Sequence, residues 1–134
     1  MFLLDTDVCI HLLNDADSGI RHEFQQRSPS EIALCSVVKA ELLCGAYRSG
    51  RVDANLQRLK VFFQPLRSLP IDDRCIEHYA LIRADLAANG RPIGPNDLMI
   101  AAIARAHGAT LVTRNTGEFG RVSGLATANW QGSQ

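Results

Sequence analysis

The sequence contains no apolar run that is long enough to cross a membrane. Its longest uninterrupted run, Leu98 to Ala104, has seven residues, whereas a transmembrane helix needs about 20. The apolar N-terminal segment contains Asp5 and Asp7 and no Lys or Arg before position 21, so it lacks the basic start and unbroken apolar stretch of a secretory signal. We therefore expect a cytoplasmic protein that has no membrane partner.

The sequence also lacks an excess of charge of either sign. Its 14 basic and 14 acidic residues give a net charge of zero, and the two halves of the chain are each balanced. The basic patch or arm that is typical of many nucleic-acid-binding proteins is therefore not indicated by composition. This balance argues against tight nonspecific binding, but it does not exclude an enzyme that meets phosphate groups at a metal ion.

Cysteine and histidine are few and show no metal-binding spacing. The chain has four of each, no two cysteines form a Cys-x-x-Cys pair, and the histidines form no ligand pattern with them. The sequence therefore predicts no zinc site. We interpret Cys9, Cys35, Cys44 and Cys75 as reduced thiols of the core, which is the common state of free cysteine.

Short apolar runs alternate with helical patterns along the whole chain. Its 134 residues fit one domain, which we assign to residues 1–134. The pattern predicts strands at 2–4, 32–35, 69–71, 110–112 and 125–127. It predicts helices at 8–13, 18–27, 37–47, 54–63, 73–88 and 97–107. Strands that alternate with helices favour an α/β fold with a mostly parallel sheet of four or five strands.

Three acidic residues stand out because their neighbours are apolar. Asp5 follows Phe-Leu-Leu, Glu41 lies within a predicted apolar helix, and Asp97 precedes the longest apolar run. Burial of a lone carboxylate is costly unless it is paired or binds a metal ion. In a parallel sheet, ligands bind at the carboxyl ends of the strands, and all three residues are expected to converge there.

Converging carboxylates without Cys or His ligands suit a hard cation such as Mg²⁺ or Mn²⁺. The chemistry that such a site supports is metal-assisted phosphodiester hydrolysis. A simpler interpretation applies to Asp5, Asp7 and Asp97 taken singly, since each stands near a helix start, where a carboxylate caps the helix. For Asp7 we place this capping role first. Glu41 lies beyond the first turn of its helix and cannot cap it.

Several segments together resemble the PIN-domain toxins called VapC, in order and spacing across essentially the whole chain. The segments are 4–7 (LDTD), 38–46 (VKAELLCGA), 82–86 (IRADL), 93–102 (IGPNDLMIAA) and 111–119 (LVTRNTGEF). The resemblance implies a three-layer α/β/α sandwich. It also implies a Mg²⁺-dependent endoribonuclease, the toxin of a type II toxin–antitoxin system, that cleaves structured RNA such as tRNA and so inhibits translation.

The resemblance also implies roles for individual residues. The three acids of the family fall on Asp5, Glu41 and Asp97, and the fourth acid of many PIN domains falls on Asn115. Glu118 lies three residues further on and is a candidate substitute for that acid. Asp7 stands where the family often has Asn, so it is a possible addition to the metal site. Contacts to RNA phosphates are expected from three arginines, Arg114, Arg91 and Arg48.

Family resemblance further implies two protein partners. One is a VapB antitoxin whose C-terminal segment lies across the cleft, with apolar anchors in a groove lined by the helices at 8–13 and 54–63. The other is a second copy of the chain, because family members form homodimers. The flank of the helix at 73–88 that carries Tyr79 and Leu86 is a candidate homodimer surface, although core packing explains the same residues.

Two other functions fit part of the sequence. A haloacid-dehalogenase-type phosphatase would use Asp5 as nucleophile and Asp7 as acid, but the late acidic pair of that class is missing and Glu41 is left unexplained. A non-catalytic PIN-like module would bind RNA or protein through surface arginines, and it would have no need of three acids in apolar surroundings. A nuclease directed at DNA is not distinguished from one directed at RNA.

Overall fold

The computed structural model describes residues 1–132 and contains one five-stranded sheet. The strands are β1 (Phe2–Leu4), β2 (Ile32–Cys35), β3 (Arg67–Leu69), β4 (Thr110–Val112) and β5 (Thr127–Ala128). They run in the order β3-β2-β1-β4-β5, and all four neighbouring pairs are parallel. The predicted α/β fold with a parallel sheet is confirmed, and of the expected four or five strands the sheet has five.

Helices flank this sheet and connect its strands. They are α1 (Thr6–Leu13), α2 (Ser18–Gln25), α3 (Ser36–Tyr47), α4 (Val52–Phe63), α5 (Asp73–Ala88), α6 (Pro95–Ala106) and the short α7 (Thr116–Phe119). A single 3₁₀ turn, Pro29–Glu31, leads into β2. The apolar middle of α6, Leu98 and residues 100–104, is buried, and the helix packs along α5. Within residues 1–132, no helix is both long enough and apolar enough to span a bilayer.

The strand order places a crevice at the carboxyl end of β1. Phe2 in β1 lies opposite Ile32 of β2 on one side and Thr110 of β4 on the other. The chain moves outward from β1 through β2 to β3 and then crosses back to β4. In parallel sheets, ligands bind where the connections diverge in this way. The residues that follow β1 and β4, and the helix that follows β2, therefore share one edge of the molecule.

Three expectations about single elements were wrong. The third strand begins at Arg67 and not at Leu69, because this edge strand exposes Arg67 and Ser68 and so has no apolar signal. The fifth strand begins at Thr127, two residues after its predicted start. Helix α7 was not predicted, since four residues are too few to show a helical period.

The packing of α5 decides between the two interpretations of Leu86, whereas the expected core position of Cys44 was wrong. On α5 the buried residues are Cys75, Ile82 and Leu86, whereas Ile76 is 54% exposed. Leu86 therefore belongs to the core and does not contribute a free homodimer surface. Cys44 is exposed, while the other three cysteines are buried.

Candidate active site

Asp5 lies directly after β1 and is buried. Its Oδ1 accepts a hydrogen bond from the backbone N–H of Val8 at 2.9 Å, so Asp5 is the N-cap of α1. Burial raises the pKa of Asp5 to about 6, and the nearby charges of Asp7 and Asp97 act in the same direction. Hydrogen bonds from Thr113 and Val8 lower this pKa only in part. Asp5 therefore combines a capping role with a carboxylate whose charge is poorly compensated.

Asp7 does not cap α1, contrary to the expectation. The helix already begins at Thr6, so Asp7 lies in its first turn with an exposed side chain. Its Oδ2 accepts a hydrogen bond from Nη1 of Arg114 at 3.2 Å, and its Oδ1 lies 3.5 Å from Nδ1 of His11. The same Arg114 nitrogen lies 2.7 Å from Nε2 of His11. Asp7 and His11 thus hold the guanidinium group at the rim of the crevice.

Glu41 lies in the second turn of α3 and is half-buried. Its Oε1 accepts a hydrogen bond from the hydroxyl of Thr6 at 2.6 Å, and its Oε2 accepts one from the side-chain amide of Asn96 at 3.3 Å. Both donors are neutral. The carboxylate is therefore oriented by α1 and α6, and neither of these two donors is a cation.

Asp97 lies in the first turn of α6 and is half-buried. Burial raises its pKa, and the negative charges of Glu118 and Glu41 raise it further. These causes place three carboxylates within electrostatic reach of one another. A site of this kind is stabilised by a cation, since repulsion between like charges otherwise favours protonation.

The segment after β4 completes the crevice. Thr113 is fully buried, and its Oγ1 accepts a hydrogen bond from the backbone N–H of Asn115 at 3.0 Å. The side-chain oxygen of Asn115 accepts from the N–H of Glu118 at 3.3 Å, and its amide donates to Oε2 of Glu118 at 2.6 Å. Asn115 therefore caps α7 and fixes the position of the Glu118 carboxylate.

These elements enclose one cavity of about 560 Å³. Its lining residues are Asp5, Thr6, Asp7, Ile10, Glu41, Asp97, Arg114, Asn115 and Phe119. The structure thus brings together Asp5, Glu41, Asp97 and Asn115, and Arg114 stands at the same opening. The lining residues that could ligate a metal ion offer mostly carboxylate and amide oxygens. Such oxygen ligands suit a hard divalent cation.

The carboxylates do not form a tight cluster. Within residues 1–132, the one set of three metal-ligating side chains whose ligand atoms all lie within 4.8 Å of one another is Asp72, Cys75 and His107, on another part of the molecule. Burial is the main cause of the raised pKa values of Asp5 and Asp97, and repulsion from neighbouring carboxylates adds to it.

Of the other two arginines that were expected to contact RNA, Arg48 lies beside this cavity and Arg91 does not line it. Arg48 follows α3 and lines an adjoining depression together with Glu41, Cys44 and Asn96. Arg91 is exposed in the loop after α5, where its N–H donates to the carbonyl of Leu86. Within residues 1–132, Arg91 lines neither of these two cavities.

A narrower groove of about 280 Å³ lies beside the crevice, between α1, α3 and α4. Its lining is Ile10, Leu13, Asn14, Glu41, Leu42, Gly45, Ala46, Asn55, Arg58 and Leu59. Glu41 borders both cavities and so connects them. The sequence pointed to α1 and α4 as the walls of such a groove, but it did not show that α3 forms part of the lining.

Three polar side chains that organise the site were not predicted from the sequence. Thr6 and Asn96 bind the two oxygens of Glu41, and Thr113 contacts Asp5 and Asn115. For two of them, the position in the sequence was the one available indication of a role. Thr6 and Thr113 each stand just beyond the end of a buried strand, at the edge where parallel sheets bind ligands.

Comparisons with known proteins agree with this geometry. The family model of the PIN domain matches residues 2–125. The chain is 39% identical over 129 residues to the tRNA(fMet)-specific endonuclease VapC of Shigella flexneri, with 96% of this chain and 97% of that protein covered. It is 34% identical to ribonuclease VapC2 of Rickettsia felis, with 97% and 98% covered.

Solved structures give the same result. The crystal structure of DNA-bound VapBC from Salmonella typhimurium matches with a TM-score of 0.90 and 35% identity, covering 96% of this chain and 97% of that chain. The PIN match decides against the haloacid-dehalogenase alternative, and the relatives' names as nucleases decide against a non-catalytic module. The chain therefore belongs to the VapC family of PIN-domain ribonucleases.

Proposed function

We propose that this chain is a Mg²⁺-dependent endoribonuclease that cleaves structured RNA, with tRNA as the first candidate, and that Mn²⁺ can replace Mg²⁺. The observation that carries the proposal is the convergence of Asp5, Glu41 and Asp97 on one cavity with poorly compensated charge. The choice of tRNA rests on the relative from Shigella flexneri, which is named for cleavage of tRNA(fMet).

Asp5 and Asp97 are the residues that we propose as metal ligands, with Glu41 either as a third ligand or as the group that positions the attacking water. The donor set fits the ion, because the carboxylates present oxygen atoms and repel one another in the absence of a cation. The chemistry that Mg²⁺ supplies in such a site is activation of a water molecule and stabilisation of the leaving oxygen.

The protein groups around the carboxylates have supporting roles in this proposal. Thr6 and Asn96 hold Glu41 in one orientation. In this proposal Asn115 holds a water molecule or a phosphate oxygen, and its hydrogen bond to Glu118 keeps that carboxylate near Asp97. We therefore assign to Glu118 the added negative charge that Asn115 does not supply.

Arginine side chains provide the contacts to the RNA backbone. Arg114 is our first choice, because it stands at the opening and Asp7 and His11 orient it. Asp7 accordingly acts on Arg114 and does not enter the metal site. Arg48 would contact RNA in the adjoining depression, and Arg91 would meet only an RNA that extends past the cavity.

The activity and its substrate are tested by one experiment on the purified protein. Total RNA is incubated with the chain in Mg²⁺ or in EDTA, and the new ends are mapped. We expect discrete cleavage within structured RNA, tRNA included, in Mg²⁺ alone. Cleavage that survives EDTA would contradict the metal requirement, and cleavage of DNA in place of RNA would contradict the substrate class.

We further propose that a VapB-type antitoxin inhibits the enzyme and that the chain forms a homodimer. Solved relatives from Salmonella typhimurium and Haemophilus influenzae are VapBC complexes. The apolar groove beside the site would hold the antitoxin's C-terminal segment. An arginine of that segment, reaching past Glu41, would meet the carboxylates.

For the homodimer we propose the exposed side of α5. The exposed apolar residues there are Ile76 and Leu81, and they take the role that was expected of Leu86, which is buried. Tyr79, which is half-buried, lies at the border of this surface.

The toxin role is tested in cells. The chain is expressed alone, as Asp5→Ala, and together with its neighbouring gene. We expect growth arrest from the unmodified chain alone, relieved by the neighbour and absent in Asp5→Ala. Because tRNA and translation are cytoplasmic, we place the activity in the cytoplasm. Harmless accumulation of active nuclease, with a neighbour that does not bind it, would contradict the toxin role and leave the nuclease proposal standing.

A further inference from the structure

Asp72, Cys75 and His107 form a second group of metal-ligating side chains, outside the proposed active site. One ligand atom from each lies within 4.8 Å of the other two. Asp72 is the N-cap of α5, Cys75 lies in the first turn of α5, and His107 is the C-cap of α6. The sequence predicted no Cys/His cluster, and this expectation was wrong because 32 residues separate Cys75 from His107 along the chain.

This group is remote from the catalytic carboxylates. Asp97 stands at the start of α6 and His107 at its end, so the two lie about 15 Å apart along a helix that rises 1.5 Å per residue. Ligands bound at one position would therefore not contact the other.

The donor atoms of the group are available to a ligand. Asp72 uses Oδ1 to accept the N–H of Cys75 at 3.1 Å, and the residue as a whole is exposed. The Cys75 side chain is buried, and its thiol donates a weak hydrogen bond to the carbonyl of Pro70 at 3.9 Å. Both side chains thus retain lone pairs that can bind a cation.

His107 provides an independent observation that points to a ligand. Its Nε2 is buried and has no hydrogen-bond partner within residues 1–132. Buried polar atoms are nearly always hydrogen-bonded, and each exception requires an explanation such as a bound ion. The C-terminal end of α6, where His107 stands, also carries the partial negative charge that favours a cation.

We propose that Asp72, Cys75 and His107 bind a Zn²⁺ ion that joins the start of α5 to the end of α6. Thiolate, imidazole and carboxylate together form a donor set typical of zinc, and its usual coordination number is four. A water molecule on the exposed side of Asp72 completes the coordination. On binding, the Cys75 thiol releases its proton to solvent as the sulfur–zinc bond forms. The ion stabilises the α5–α6 junction and takes no part in RNA cleavage.

Arg74 is the nearby group that opposes the ion. Its Nη2 lies 3.4 Å from Nδ1 of His107, so its positive charge repels a cation that is bound to the other ring nitrogen, Nε2. Substitution Arg74→Gln removes this positive charge. It should therefore tighten zinc binding severalfold, which is opposite to the effect of any change to a ligand.

The site is tested with Co²⁺ as a spectroscopic probe on the metal-free, full-length Asp97→Asn variant, which weakens the competing carboxylate site. We expect thiolate-to-cobalt charge-transfer absorption that saturates at about one ion per chain, and its loss on addition of Zn²⁺. Cys75→Ser and His107→Gln should each abolish the band. Cys44→Ser, a change of the exposed thiol on α3, is the matched control and should retain it.

Thermal unfolding gives a second readout that does not depend on cleavage of RNA. Excess Zn²⁺ should raise the Tm of the parent by several degrees and leave that of His107→Gln unchanged. His107 is half-buried and follows the last residue of α6, whereas Cys75 is fully buried. His107→Gln is therefore the less disruptive change, and it keeps the test decisive even where Cys75→Ser does not fold. Absence of the band, its persistence in His107→Gln, or its loss in Cys44→Ser would each overturn the proposal.

Discussion

The hydroxyl of Thr6 donates a 2.6 Å hydrogen bond to Oε1 of Glu41, joining the first residue of α1 to the second turn of α3. The other Glu41 oxygen accepts from the Asn96 amide. A hydroxyl and an amide orient the carboxylate without neutralising it, whereas a paired arginine would cancel its charge. The arrangement suits a group that must bind a cation or direct a water molecule.

Removal of this hydroxyl should slow cleavage without unfolding the protein. Thr6→Val keeps the shape of the side chain but frees Oε1 of Glu41. A hydrogen bond to a charged group is worth about 1.5–3 kcal/mol, so kcat should fall by about 10- to 100-fold. Thr6→Ser retains the hydroxyl and is the control. Equal cleavage rates in Thr6→Val and the parent, at saturating RNA and Mg²⁺, would show that Glu41 needs no such support.

Asp5→Asn should make the metal-free protein more stable while it abolishes cleavage. The folded-state pKa of Asp5 is about 6, against an ordinary value of 3.8, so the native state binds this proton more tightly than the unfolded chain. Ionised Asp5 therefore costs stability, and the cost grows as pH rises from about 4 to about 6 and is constant above that. Asn retains an oxygen that can accept the Val8 N–H.

The size and pH dependence of this effect are measurable in EDTA. Because one pKa unit is worth about 1.4 kcal/mol, the gain of Asp5→Asn at pH 7.5 should lie between about 1 and 3 kcal/mol. The difference in free energy of unfolding between variant and parent should shrink below pH 6 and be smallest near pH 4. A variant less stable than the parent at pH 7.5 would mean that the Asp5 charge is well compensated.

Arg114→Gln should weaken RNA binding in a salt-dependent way. In a plot of the logarithm of the binding constant against the logarithm of the salt concentration, each phosphate contact adds about 1 to the magnitude of the slope. Loss of the Arg114 contact should therefore reduce that magnitude by about 1. Binding is measured with tRNA on the Asp97→Asn background, so that the RNA remains intact. Arg67→Gln, a change of the exposed first residue of the edge strand β3, is the matched control. The same loss of slope in both variants would indicate general charge attraction and no specific contact.

Gly45→Gln should block the antitoxin and spare the nuclease fold. Gly45 lines the groove, and a Cβ added there meets no atom of residues 1–132 within 4 Å. The new side chain therefore extends into the space that the antitoxin segment would occupy. Gly50 is equally open but lies outside the groove, which makes Gly50→Gln the control. Binding of purified antitoxin should fall at least tenfold in the first variant only. Unchanged binding to Gly45→Gln would place the antitoxin elsewhere.

The sequence was sufficient to predict the α/β fold and to single out the three acids. Asp5, Glu41 and Asp97 each interrupt apolar surroundings, and the strand–helix alternation brings strand ends to one edge. The assignment of the N-cap to Asp7 was wrong, because the position of a cap depends on where the strand ends to within one residue. Asp5 is the single residue between β1 and α1 and caps the helix, which leaves Asp7 free to contact Arg114.

Contacts between distant segments could not be predicted from local patterns. The bonds from Thr6 and Asn96 to Glu41 span 35 and 55 residues, and the approach of Cys75 to His107 depends on how α5 packs along α6. Exposure was equally difficult to predict. The spacing of Ile76 and Leu86 fits one apolar side of a helix, yet Leu86 is buried and Ile76 is exposed. The difference depends on how α5 packs against α6.

The central claim is that the carboxylates around Asp97 form a metal-dependent catalytic site. It is tested most directly by single-turnover cleavage of tRNA by the purified chain and by Asp97→Asn, each in Mg²⁺ and in EDTA, with circular dichroism to verify the fold. We predict cleavage by the unmodified chain in Mg²⁺, and a loss of at least about a thousandfold both in EDTA and in the folded variant, because several kcal/mol of transition-state stabilisation disappear. Undiminished cleavage by folded Asp97→Asn, or by the unmodified chain in EDTA, would contradict the account.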